Sequence, residues 1–178
     1  MTIQGAEGPV GGITISGATN SPPAKNHSSE SYGLTIVSAG NSGGGVGDLG
    51  VFRDEAVFTV YLNPATSADD PGPPWALQYS VMGGGPIQDL TPPFPTKKVA
   101  PVWPTDLLAR YAGQEMVVSG IIDVGGRMQR LRILKSPNVD LSGALLAALD
   151  RWVFRPGTMN GQPIALKIVL GVPITAVQ

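Results

Sequence analysis

Gly40-Asn41-Ser42-Gly43-Gly44 is the stretch whose residue types come nearest to covalent chemistry. A serine held among glycines can stand on a tight turn whose backbone N–H groups form an oxyanion hole. Such a serine needs a histidine base and a carboxylate to orient it. The chain has one histidine, His27, in a polar stretch, and Glu30 is the sole acid between it and Ser42. Neither the order nor the spacing of a triad is present, so Ser42 is not expected to act as a nucleophile. The glycines Gly43-Gly44-Gly45 and Gly47 suggest a phosphate loop, but no Lys-Ser/Thr pair or helical pattern follows them. Asp54-Glu55 and Asp69-Asp70 are adjacent acids in turn-like stretches with no second ligand cluster nearby, which supports neither a metal site nor acid–base chemistry. With no cysteine, thiolate ligands and disulfides are excluded. The expectation is a protein that is not an enzyme and takes no metal or cofactor. Asn26-His27-Ser28 fits a glycosylation sequon, a motif short enough to arise by chance.

Charge is the second lead. Net charge is −1, but residues 1–96 carry two basic and eight acidic side chains (−6), while residues 97–178 carry ten basic and five acidic (+5). Three of the basic residues, Arg127, Arg130 and Arg132, fall on one hairpin, where Arg130 and Arg132 share a strand face opposite Leu131 and Ile133. They form a candidate basic face for an acidic protein or cell-wall polymer. No aromatic residues interleave with them, so a nucleic-acid partner is not expected.

The elements that must position these residues are short. Of 178 residues, 24 are Gly and 17 are Pro, a composition that favours strands, turns and extended linkers. Residues 1–31 read as a flexible arm. Residues 32–82 read as a small β-rich segment with strands at Tyr32–Ser38, Ala56–Leu62 and Trp75–Met82, a meander of its own. Residues 83–98 form a linker, flexible at Gly83-Gly84-Gly85 and close to polyproline II at Pro92, Pro93 and Pro95. From residue 99 the pattern changes. Thr105–Ala112 predicts a short helix ended by Gly113, and Glu115–Asp123 and Arg127–Lys135 predict a hairpin turned by Val124-Gly125-Gly126. Leu141–Trp152 predicts the main helix, with Leu141, Leu145, Leu149 and Trp152 as its apolar stripe and Asp140 as N-cap. Pro156-Gly157 stops that helix, Asn160-Gly161 turns the chain, and Ile164–Ile174 predicts a final strand. The fold class is α+β: an α-β-β-α-β unit, antiparallel, with two helices on one face, preceded by the β-rich segment. Helical spacing assigns Trp152 and Phe154 to the core, whereas Trp103 can either seal the core or present a contact surface. No apolar run is long enough for a membrane span, and no signal segment is evident.

From Lys97 to Val177 the chain resembles the C-terminal domain of the TonB family of energy transducers. The residues that carry this are Trp103-Pro104, the Gly125-Gly126-Arg127 hairpin, a following strand that ends in Ser136, Trp152-x-Phe154-x-Pro156, and Asn160-Gly161-Gln162-Pro163 leading into the last strand. The sequence departs from the family in having Trp103 where a Tyr is usual, in Gln114-Glu115-Met116 ahead of Val117, and in lacking the family's membrane anchor and Pro-rich spacer. The resemblance implies a periplasmic, non-enzymatic domain involved in transmembrane transport. It would bind an extended peptide of an outer-membrane transporter, or of another envelope protein, by β-augmentation. The implied docking edge is the last strand, through Gln162, Ile164, Ala165, Leu166, Lys167, Ile168, Val169 and Leu170. The approach segment, Lys97, Lys98, Val99 and Trp103, is a secondary contact. Pro163 and Pro173 near the ends of the strand suit an edge position. The alternative is a structural or oligomerisation module, in which the last strand pairs with the N-terminal β segment or with a second copy in a homodimer.

Overall fold

The computed structural model describes residues 36–38 (backbone only), 49–63, 74–83 and 85–175. Ser42, His27, Asp69, Asp70 and the arm 1–31 lie outside the described residues. The elements in chain order are β1 (Ile36–Ser38), β2 (Val57–Leu62), β3 (Trp75–Val81), β4 (Leu90–Thr91), β5 (Phe94–Lys97) and α1 (Thr105–Tyr111). They continue with β6 (Glu115–Ile122), β7 (Met128–Lys135), α2 (Val139–Leu149), β8 (Val153–Arg155), β9 (Thr158–Met159), β10 (Gln162–Pro163) and β11 (Leu166–Pro173). This is an α+β protein, mostly strand, with antiparallel sheets and two helices.

One six-stranded sheet dominates, in the order β1-β2-β3-β11-β6-β7. The N-terminal β segment is therefore not a meander of its own, since β2 and β3 extend the C-terminal sheet. Period-two alternation explains how they fit. Trp75, Leu77 and Tyr79 face the same core as Ile168 and Leu170, while Ala76, Gln78 and Ser80 take the other face. Leu108 of α1 and Leu141, Leu145 and Leu149 of α2 complete that main core. A smaller cluster on the opposite face joins Phe52, Val57, Ala76, Val117 and Val169.

The caps and turns are specific. Asn138, not Asp140, is the N-cap of α2; its Oδ1 accepts from the N–H groups of Asp140 (2.8 Å) and Leu141 (3.2 Å). An amide side chain two residues earlier reaches those two donors, whereas Asp140 already lies in the helix. The helix stops at Leu149, three residues before the expected Trp152, which follows in a turn closed by its N–H to Leu149 O (3.0 Å). In the β6–β7 hairpin Asp123 Oδ1 accepts from Gly125 N and Arg127 N, both at 2.9 Å. Gly126 has φ +78, and a Cβ there would stand 1.8 Å from Phe154 O. Only glycine lets β8 pass so close. The proline-rich 83–98 segment is not a free linker. Leu90–Thr91 pairs with β9, and Phe94–Lys97 pairs with β8. Prolines already hold the backbone extended, so pairing there costs little further conformational entropy.

Candidate functional site

The final strand is built to be buried. Leu166, Ile168, Leu170 and Val172 point into the main core, and Val169 into the smaller cluster, all at 1% exposure or less. A strand apolar on both faces is shaped for the middle of a sheet. β11 lies there, antiparallel to β6 from Leu166↔Ile122 to Pro173↔Glu115, and antiparallel to β3 from Leu166↔Val81 to Gly171↔Ala76. The expected free edge at Leu166, Lys167, Ile168, Val169 and Leu170 is thus filled by β3. Gln162 lies elsewhere, in the small β9–β10 hairpin, turned by Asn160 (φ 50) and Gly161 (φ 76). Ile164 donates to Gly157 O at 2.9 Å, and Ala165 O accepts from Met82 N at 3.4 Å. Pro163 and Pro173 sit at strand ends, where the missing donor is tolerated next to a central strand as well as an edge one.

Side chains hold β3 in the sheet, and Glu55 links it to β11. Trp75 stacks on Trp152 (centroids 5.4 Å apart, planes 7° apart), and Phe58 stacks on Tyr79 at 5.4 Å. Lys167 Nζ lies 2.5 Å from Glu55 Oε1, and Ser80 donates its hydroxyl to Glu55 Oε2. Partial burial pushes the Glu55 carboxyl up, but the hydrogen bonds from Lys167 and Ser80 outweigh it and hold the group below its usual range. Glu55 was legible as an acid near a turn; its partner far along the chain was not. Burial alone pushes the Tyr79 hydroxyl up to about 12.

The other candidate residues disperse. Lys97 pairs with Val153 in β5–β8, Lys98 Nζ donates to Asn63 O at 2.9 Å, and Val99 O accepts from Trp152 Nε1 at 2.8 Å. Trp103 seals the core: it packs on the main cluster and donates Nε1 to Leu141 O at 3.2 Å. Arg127, Arg130 and Arg132 are exposed on β7 and its turn. Among the described residues no group of three or more His, Asp or Glu could hold a metal ion, and no helix is long and apolar enough to cross a membrane.

Sequence reasoning passed over one further cluster. Thr59 and Gln78, cross-strand partners on β2 and β3, are 1% and 0% exposed. Among the described residues, Thr59 Oγ1 and both amide atoms of Gln78 have no hydrogen-bond partner. Gln78 alternates with Leu77 and Tyr79 along the strand, but nothing local in the sequence shows that its face is covered. In comparison with known proteins, no family model and no curated protein matches the chain.

Proposed function

We propose that this chain is a non-enzymatic structural module resembling a TonB C-terminal domain, in which its own N-terminal β segment occupies the place at the last strand where that family docks a peptide. The observation that carries this reading is the β3–β11 pairing over six consecutive residues. Capture of a transporter peptide at β11 would first require β3 to leave. That step exposes Trp75, Leu77 and Tyr79, now 4%, 0% and 1% accessible. At roughly 1.5–3 kcal/mol for each large side chain taken out of the core, it costs on the order of 5–9 kcal/mol. That is comparable to the whole stability of many domains. A peptide returning a backbone ladder does not replace those three side chains unless it carries equivalents. A periplasmic setting, implied by the resemblance, belongs to the same proposal.

The test is hydrogen exchange on the whole chain. Amides of Leu166–Val172 and of Trp75–Val81 should be protected together and open together in denaturant titration. Rapid exchange of alternate β11 amides, with β6 still protected, would show that β3 leaves easily. That result would restore peptide capture as the working function.

A further inference from the structure

Filling one edge of β11 moves the free ends of the sheet elsewhere. At one end stands β1, three residues long; at the other is β7, eight residues long. β7 pairs with β6 on its inner side, and its start is tied down where Arg127 bridges Val153. From Gln129 to Lys135 no strand lies on its outer side among the described residues. This margin carries Arg130, Arg132 and Lys135, all exposed. Among the described residues, Lys167 pairs with Glu55, and none of these three has a carboxylate partner. Asp123, at the hairpin turn, is already engaged by the N–H groups of Gly125 and Arg127 and by the Gln129 amide.

Two breaks in register, one between Val117 and Val118 and one between Ser119 and Ile121, bulge β7 against β6, and Arg130 adopts φ 52. Bulges and charges together discourage pairing with a second copy, which would set arginine against arginine. The charges do not discourage a strand of opposite sign. The regular stretch between the bulges, Leu131–Ile133, is short, so a ladder built on it needs electrostatic help. A polysaccharide could use the charge but not the row of backbone donors and acceptors, which another strand matches.

We propose that the outer edge of β7, Gln129 to Lys135, docks a short, acidic, extended segment of another protein by strand addition. This edge is set by the position of β7 at the end of the sheet and is open whether or not β3 stays on β11. The probe is an acetylated, amidated hexapeptide of alternating Glu and Val, titrated into the whole chain and followed by amide chemical shifts. The shifts should centre on Gln129–Lys135 and shrink with added salt. A Lys/Val counterpart should not bind, nor should a Glu/Val peptide N-methylated at every residue, which has no backbone donor on either edge. Reversing Arg132 and Lys135 to Glu should weaken binding by about tenfold, as two exposed pairs change sign. Equal binding of the N-methylated peptide would overturn strand addition, and no binding at all would overturn the site. Shifts centred on β3 and β11 would overturn both this site and the closed-sheet reading; shifts absent from β3 and β11 leave that reading intact whatever happens at β7.

Discussion

Replacing Gln78 with Met should make the protein more stable. The amide nitrogen and oxygen of Gln78, and the Thr59 hydroxyl beside it, are buried with no hydrogen-bond partner among the described residues. In the unfolded chain each is hydrated, so folding strips that water and returns nothing. A buried group left unsatisfied costs about 1–3 kcal/mol. Met has nearly the volume and flexibility of Gln, so the substitution removes the stranded amide without opening a cavity. The expected gain is about 1–3 kcal/mol. With a urea slope of about 1–3 kcal/mol/M, the midpoint should rise by roughly 1 M with the slope unchanged. Thr59→Val should add up to about 1 kcal/mol. Because Thr59 and Gln78 pair across strands, the two effects should not be strictly additive. Urea unfolding followed by tryptophan fluorescence and by circular dichroism gives both numbers. A loss of more than about 1 kcal/mol for Gln78→Met would refute the reasoning, since it would mean the amide is held by a partner such as an ordered water.

Asn138→Ala removes the acceptor for two α2 donors and should cost about 1 kcal/mol, with faster exchange in the first turn of the helix. Gly126→Ala drives a methyl into the Phe154 carbonyl and should cost at least about 3 kcal/mol. Gly161→Ala, equally left-handed but in open space, should cost only about 1 kcal/mol; equal losses in thermal denaturation would show that the β8 crossing is not tight. Glu55 titrates below its usual value of 4.5, so its contribution is present above that pH and lost as pH falls through the folded value. Glu55→Gln should therefore flatten the acid limb of stability measured by urea titration at successive pH values. Tyr79, raised from 10.0 to about 12, acts in the other direction: its contribution is complete below pH 10 and is lost as pH rises towards the folded value. Tyr79→Phe should remove that alkaline loss.

Local features were legible wherever local chemistry decides. The Val124-Gly125-Gly126 turn, the Asn160-Gly161 turn, and the Leu141, Leu145, Leu149 stripe follow from backbone freedom and helical period, and each is present. The order of strands was not legible. Ile164–Ile174 reads equally as an edge or a centre, because its alternation describes two faces and says nothing of its neighbours. Its apolar residues on both faces, Val169 as well as Ile168, were the clue that favoured the centre. Likewise the proline run at 92–95 announced extended backbone but not the β8 strand it lies against. Trp103 was balanced between core and contact surface until the carbonyl of Leu141 gave its indole a partner.

Both neighbours of β11 precede it in the chain: β3 from far upstream, β6 from closer by. Tyr79 and Ile168 are register partners although both helices and the whole β6–β7 hairpin lie between them in sequence. The pairing that closes the sheet is thus among the most distant the chain makes, and it forms at the expense of a large loop. During synthesis β2 and β3 are made early and must wait, with Leu77 and Trp75 uncovered, until Leu166–Pro173 has been made. Folding should proceed on the slow, millisecond-to-second side of the small-domain range. The interval before the last strand arrives is when this protein is most exposed to misassembly.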